Sequence, residues 1–469
     1  MVGPNFHSPS GPHTDKYTSA LLPQKTVSAK GHGGASQAFI LGENIQKDWW
    51  ELYQSPQLNH LIREGLAHSP NLAAAKATLR EAEENLNAQI GLLLFPDVTG
   101  TFSAERERFG GQQFGTNTSN LFNLYNASVA ASYTLDIWGG SRRTIEAYSA
   151  QVDFQRYELI AAYLTLTSNI VTTAVSIATL ESQIDATRSL IHAIEKQLKI
   201  IKGQFKLGAI AKETVLSQET FLEQTKATLP PLQKNLSQQR HAMSTLIGKV
   251  PSKSHIPSLH LKDLHLTQNL PMSLPSLLVR QRPDIQASEA LLHFASANIG
   301  VATANLLPQL TLNGNVGWEG TVLSQLIKPA NYIWSYTGTL TQTLFNGGAY
   351  FAQRRAAIDA FDVAFAQYRQ TVLTAFQNVA DALRAIQFDA RTLKAQKEAE
   401  IAAKNNLDLT TQQYDLGGVN FLALLIAEQQ YHQALILRVQ AEGTRFADTA
   451  ALYQALGGGW INCTICGGS

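Results

Sequence analysis

Phe205-Lys-Leu-Gly208-Ala-Ile-Ala-Lys-Glu-Thr-Val-Leu-Ser-Gln-Glu219 returns later in the chain as Tyr414-Asp-Leu-Gly417-Gly-Val-Asn-Phe-Leu-Ala-Leu-Leu-Ile-Ala-Glu428. Two further pairs lie outward from it. Leu135-Asp-Ile-Trp-Gly-Gly140 is matched by Thr343-Leu-Phe-Asn-Gly-Gly348. Ser69-Pro-Asn-Leu-Ala-Ala-Ala with Phe95-Pro96 is matched by Arg282-Pro-Asp-Ile-Gln-Ala-Ser with Leu307-Pro308. All three pairs share a shift of roughly 210 residues, which means two copies of one unit and not a solenoid of short repeats. Each copy reads helix, two strands, a very long helix, a glycine turn, then a returning helix.

The organisation expected is an extended segment over 1–45, a first repeat over 46–247, a linker over 248–276, a second repeat over 277–460 and a tail over 461–469. After Gly140 no proline or strong breaker occurs until Gly203 and Gly208, and after Gly348 the chain is similarly unbroken to Gly417. Each long helix is therefore about 65 residues, or about 100 Å. Ile177, Ile184, Ile191, Leu198 and Phe205 keep a seven-residue spacing, with Leu180, Ile194 and Ile201 three residues on. Val215, Leu222, Leu229, Leu236 and Met243 do the same on the returning helix. Val372, Val379, Ile386, Leu393, Leu407 and Tyr414 do so in the second copy, interrupted at Glu400. These are coiled-coil seams. Pro230-Pro231 predicts a kink or break in the first returning helix.

The strands alternate. Tyr125, Ala127, Val129, Ala131, Tyr133, Leu135 and Ile137 share one face, against Asn126, Ser128, Ser132, Thr134 and Asp136 on the other. In the second copy Trp334, Tyr336, Gly338, Leu340 and Leu344 oppose Ser335, Thr337, Thr339, Thr341 and Thr343. The four strands are expected at about 98–109, 121–137, 309–318 and 333–345, and Leu310, Leu312, Val316 and Trp318 continue the apolar face. A soluble sheet with one wet face gives the same alternation. Strand lengths of about 10 to 13 residues, aromatics toward the strand ends and a neutral polar face suit a tilted bilayer crossing instead. Four strands cannot close a barrel, and an open edge in lipid leaves backbone groups unbonded. Membrane strands here require several chains to pool them.

The 469 residues are 44% hydrophobic and 16% charged, with a net charge of +1. That balance gives no sign of a nucleic-acid partner, and the charge content falls below the usual quarter. Cys463 and Cys466 are the two cysteines. Without a second pair or a neighbouring histidine, an inert tail or local disulfide is a better reading than a metal or redox site. No secretory signal is visible at Met1-Val-Gly-Pro-Asn-Phe, so the protein is either cytosolic or starts after a removed segment. The uncharged run Leu159–Leu180 is studded with hydroxyl residues and reads as a buried part of a longer helix. The histidines are scattered, and no phosphate loop or nucleophile elbow occurs, so no catalytic, cofactor or metal site is expected. Arg142-Arg143 and Arg354-Arg355 follow both Gly-Gly junctions, as headgroup or pore contacts or as plain solvated first turns.

Five stretches together resemble the TolC-like outer membrane efflux family, in its branch of RND-type efflux outer membrane lipoproteins. They are Val2-Gly-Pro-Asn-Phe, Leu135-Asp-Ile-Trp-Gly, Arg282-Pro-Asp-Ile-Gln-Ala-Ser-Glu, Tyr414-x-x-Gly417-x-x-x-Phe-Leu-x-Leu-Leu and Ala455-Leu-Gly-Gly-Gly-Trp460. The resemblance implies a mainly α fold with a small β part. It implies a homotrimeric twelve-stranded outer-membrane β-barrel, four strands per chain, continued by a long periplasmic α-helical barrel. Partners would be a periplasmic adaptor, an inner-membrane RND-type pump and outer-membrane lipid, and the function an efflux duct gated at its periplasmic helix tips.

Carried onto this sequence, the gate candidates are Tyr414, Asp415, Val419 and Asn420, and the adaptor contacts Leu207, Gly208, Leu416 and Gly417. Lipid-facing strand residues would be Tyr125, Val129, Tyr133, Leu135, Leu312, Val316, Trp334, Tyr336 and Leu340. Relatives of this kind often carry aspartate two residues after the tip glycine, where this chain has Val419. They are usually acylated on a cysteine just before Val-Gly-Pro, a position that here is Met1 or lies outside the chain. The competing reading is a soluble coiled-coil scaffold carrying a small sheet.

Overall fold

A computed structural model describes residues 1–12, 14, 16–43, 45–110 and 119–460. Cys463 and Cys466, and the expectations attached to them, lie outside the described residues. The elements follow in chain order: β1 (Ala38–Leu41), α1 (Pro56–His68), α2 (Pro70–Leu94), β2 (Asp97–Phe109), β3 (Asn120–Leu135), α3 (Gly140–Lys206) and α4 (Lys212–Leu246). Then come β4 (Asn269–Met272), α5 (Pro275–Gln281), α6 (Pro283–Ala304), β5 (Gln309–Gly320), β6 (Tyr332–Thr341), α7 (Ala349–Asp415) and α8 (Phe421–Ala455). The repeat is visible in the lengths: α3 and α7 have 67 residues each, α4 and α8 have 35 each.

The chain forms two compact units, and neither coincides with a sequence repeat. One comprises 1–9, 78–156 and 287–369, the other 10–77, 157–286 and 370–469. In the first, β2, β3, β5 and β6 lie in that order as an antiparallel sheet. Two strands stop short of expectation. β3 ends at Leu135 and β6 at Thr341, because their ladders to β5 run out at Leu135↔Leu310 and Gln309↔Thr341. Unpaired backbone beyond that point makes no strand, so Thr343 and Leu344 fall outside the sheet. Beyond β3 the Asp136 carboxylate accepts the backbone N–H groups of Ser141 and Arg142 at 3.0 and 3.1 Å. That satisfies two of the open donors at the start of α3, helped by Gly139 at φ +87°.

Arg143 is neither a headgroup contact nor solvated. It is 2% exposed, and its guanidinium donates to the carbonyl of Val2 (3.2 Å), to Asn5 Oδ1 (2.8 Å) and to Glu146 Oε2 (2.6 Å). Its role is to seat the N-terminal segment, where Phe6 stacks on His293 at 4.4 Å and His293 meets Glu146 at 2.9 Å.

The second unit holds most of the apolar core. Ile170, Val171, Ala174, Val175, Ile177 and Ala178 of α3 are buried, which fits the reading of Leu159–Leu180 as interior helix. Trp49 stacks on Tyr453 at 5.2 Å, and Leu58, Leu61 and Ile62 of α1 are buried as well. Each such side chain contributes roughly 1.5–3 kcal/mol. Helix approach is close enough to require glycine: a Cβ on Gly443 would stand 2.1 Å from Thr179 Oγ1. The seam holds along Ile177, Ile184, Ile194, Leu198 and Ile201, and along Val372, Val379, Ile386 and Leu393. Its break at Glu400 has a reason, since that carboxylate accepts from Arg438 Nε at 3.0 Å.

Pro230 and Pro231 do not break α4, which runs unbroken from Lys212 to Leu246. Both prolines are exposed, so the two carbonyls that lose their N–H partners can bond water. The linker is not featureless either: β4 pairs in parallel with β1. The β1 segment is tied down by Arg445, fully buried, which donates to the carbonyls of Gly33 (2.8 Å) and Ala35 (2.7 Å), to Thr26 Oγ1 (3.2 Å) and to Gln37 Oε1 (3.2 Å).

Replacing Arg445 by leucine removes four donors to buried or half-buried acceptors. The expected loss is about 3 kcal/mol, read as a lower melting temperature together with new proteolytic cleavage within residues 24–41.

Candidate functional site at the hairpin turns and the sheet

The two repeated turns fold identically. At the end of α3 the N–H of Gly208 donates to Phe205 O at 2.9 Å and that of Ala209 to Gln204 O at 3.0 Å. At the end of α7 the N–H of Gly417 donates to Tyr414 O at 3.0 Å and that of Gly418 to Gln413 O at 2.8 Å. Each is a Schellman cap, and each puts its central glycine in the left-handed region, Gly208 at φ +75° and Gly417 at φ +73°. The glycine spacing in the sequence thus follows from a backbone requirement. The leucines before the glycines are left outside: Leu207 is 86% exposed and Leu416 is 87% exposed.

The four residues singled out as gate candidates separate in the structure. Asp415 is exposed, Val419 is half-buried, and Asn420 is the N-cap of α8, its Oδ1 accepting from the Ala423 N–H at 3.0 Å. Tyr414 donates its hydroxyl to Gln204 Oε1 of α3 at 3.4 Å and packs edge-on to Phe421 at 5.9 Å. The two turns therefore lie side by side. Behind them Ile194, Leu198, Ile201, Val215, Phe221, Leu222 and Leu425 form one apolar cluster drawn from both copies. Lys206 and Asp415 occupy the same place in the two turns, with opposite charges.

One residue of this region was not singled out from the sequence, although it closes both copies of the turn stretch. Glu428 is 7% exposed, and burial pushes its carboxyl up to about 7. Its repeat partner Glu219 is half-buried and lies 2.7 Å from Lys202 Nζ. The shared glutamate was the available signal. Its different burial in the two copies was not in the sequence.

In the sheet unit the register assembles one apolar face from four strands. Val98, Ala131, Gly314 and Tyr336 form one row, Gly100, Val129, Val316 and Trp334 the next, and Phe102, Ala127, Trp318 and Tyr332 a third. Tyr133 pairs with Leu312, which pairs in turn with Gly338, and Leu135 with Leu310, which pairs with Leu340. The nine strand residues named above as lipid-facing all lie on this face. Val129 is 48% exposed, Trp334 63% and Tyr336 79%, so none of the described residues covers it there. The opposite face carries Thr99, Thr101, Ser128, Ser132, Thr311, Asn313, Asn315, Thr337 and Thr339.

β2 and β3 continue past the end of β5, and there Arg106 and Arg108 appear on the otherwise apolar face. Among the described residues the outer edges of β2 and β6 have no strand partner. No group of three His, Cys, Asp or Glu side chains among the described residues could hold a metal.

An uncovered apolar sheet face with two open edges, joined in one chain to long helical hairpins with paired turns, defines a subunit of an outer-membrane channel. The chain belongs to the outer membrane efflux protein family, whose profile matches residues 61–249 and 274–458. The pyoverdine export outer membrane protein OpmQ of Pseudomonas putida is 28% identical over 417 residues, 88% of each chain. The solved outer-membrane channel OprN superposes with a TM-score of 0.89 at 27% identity, covering 98% of this chain and 99% of that one. The open state of the Neisseria gonorrhoeae MtrE outer membrane channel superposes at 0.80 and 25% identity, with 98% of each chain covered.

As a family member the protein is the outer-membrane channel of a tripartite efflux system, working with a periplasmic adaptor and an inner-membrane pump. Its place is the outer membrane, with extension into the periplasm. Members of the family are transport channels.

Valine at Gly208 or Gly417 forces a branched side chain into a left-handed backbone, at a cost of about 1–2 kcal/mol. Each variant is expected to speed amide hydrogen exchange within its own turn while leaving the melting temperature of the rest unchanged.

Proposed function

We propose that three copies of this chain close a twelve-stranded barrel by pairing β2 of one copy with β6 of the next. The apolar face, including Tyr125, Val129, Tyr133, Leu135, Leu312, Val316, Trp334, Tyr336 and Leu340, then meets lipid, and the hydroxyl and amide face lines a wet lumen. The observation that carries this reading is the four-strand register, which gathers every large apolar side chain of β5 and most of those of β3 on one uncovered face. Arg106 and Arg108 mark the level at which that face leaves the hydrocarbon, since charge at the bilayer midplane is strongly disfavoured. Cargo delivered by an RND-type pump passes through this lumen.

The turns form the closing end. Three copies place six hairpin turns in a ring in which Lys206 and Asp415 alternate, so opposite charges draw neighbouring turns together. Tyr414, Val419 and Asn420 narrow the opening around them. The exposed Leu207 and Leu416, with the Gly208 and Gly417 backbones, are the surface offered to the adaptor.

Light scattering in mild detergent tests the assembly. Wild-type protein is expected at about three times 51.2 kDa. Val129→Arg, which puts a charge in lipid at a cost of about 2–4 kcal/mol, is expected to lose the trimer, whereas Thr337→Arg on the other face keeps it. A wild-type monomer that stays soluble without detergent overturns the barrel. For the turns, Asp415→Lys is expected to shift single-channel selectivity from cations toward anions in planar bilayers; unchanged selectivity would remove Asp415 from the gate.

A further inference from the structure

The glutamates that end the two turn stretches have different surroundings. Glu219 is paired with Lys202, 2.7 Å away. The shift that carries Gly208 to Gly417 carries Lys202 to Thr411, so the second copy lacks this lysine. Glu428 instead points inward. Its polar neighbours are amides, Gln218 of α4 and Gln197 of α3. Gln218 is fully buried and neither of its amide atoms completes a hydrogen bond, nor does Glu428 Oε2. One helical turn along α8, burial lowers the pKa of His432, and its Nε2 is also unpaired. Leu425, one helical turn before Glu428, belongs to the apolar cluster behind the turns.

Nearby cations pair with other carboxylates: Lys202 with Glu219, Lys226 with Glu195 and Glu223, and, on α7, Lys404 with Asp408. Among the described residues no cationic side chain acts on Glu428. The amides of Gln218 and Gln197 favour the ionised carboxylate, but burial outweighs them, and a neutral carboxyl can donate to an amide oxygen such as that of Gln218.

We propose that Glu428 is a proton-operated lock on α8: protonated, it lets the first turns of α8 seat against α3 and α4, and ionised, it draws water into the layer and loosens α8 there. All of these residues belong to one chain, so the lock requires neither the barrel nor the charged ring of turns. It acts, however, on the helix that follows Val419 and its N-cap Asn420.

The sign follows from the direction of the shift. The seated carboxyl titrates at about 7, above its ordinary value of 4.5. Seating is therefore favoured fully below the ordinary carboxylate range. It weakens as pH rises from there to about 7 and is constant above. Between about pH 6 and about pH 8 the loosened population is expected to rise roughly tenfold.

Hydrogen exchange of the full chain in detergent, corrected for the intrinsic pH dependence of amide exchange, reads this directly. Residues 421–432 are expected to exchange roughly tenfold more readily at the higher pH. Glu428→Gln should hold the protection seen at low pH under both conditions, and Glu219→Gln should leave the wild-type rise intact. Should Glu428→Gln fail to fold, Glu428→Leu combined with Gln218→Leu serves the same purpose, by removing both polar partners together. A wild-type segment indifferent to pH, or the same rise in the Glu428 variants, overturns the lock. A rise confined to the wild type and Glu219→Gln establishes it.

Discussion

Everything in this chain turns on backbone groups at the sheet edges. Among the described residues β2 and β6 each present a row of N–H and C=O groups with no strand partner, and the face between them is apolar and uncovered. In water the edges would be solvated while the face would drive aggregation. In lipid the face is at ease, but each unpaired backbone group costs several kcal/mol. Strand pairing with further copies relieves both conditions, and it fixes what the rest must do. Each chain contributes four strands through two repeats, and each repeat sends out one helical hairpin.

The duplication produces near-equivalence rather than symmetry. Both copies build helices of 67 and 35 residues and end the long one in the same Schellman turn with a left-handed glycine. Their side chains then diverge at matching positions: Lys206 against Asp415, Glu219 against Glu428, an unpartnered N-cap position at Ala211 against the Asn420 cap. Divergence at quasi-equivalent positions gives neighbouring hairpins complementary surfaces, which two identical copies could not offer. Glu428 lacks the lysine partner that Glu219 has, because Thr411 stands where the first copy has Lys202.

Long-range features were legible in the sequence where they rest on local periodicity. A seven-residue apolar spacing needs no knowledge of partners to specify a helical seam, and Ile177, Ile184, Val379 and Ile386 are buried as that spacing demands. Strict alternation in Tyr125–Leu135 likewise set the two faces of β3. Strand ends were less legible, since β3 and β6 stop where β5 stops, and the partner's length is invisible from either strand alone. The proline pair in α4 misled for a similar reason. Whether two lost hydrogen bonds break a helix depends on whether the freed carbonyls can reach water, and both prolines there are exposed.

The sequence by itself determined the repeat, the helix lengths, the turn glycines and the apolar and polar faces of the strands, because each is fixed by periods of two, 3.5 or 3.6 residues or by one residue's φ. Tertiary structure alone decided which polar groups are buried and which partners they find. Arg143 and Arg445 look like any surface arginine until the N-terminal segment is laid across them, and Glu428 looks like Glu219 until α3 and α4 close over it. Desolvation is a property of everything packed around a group, and no window of sequence contains it.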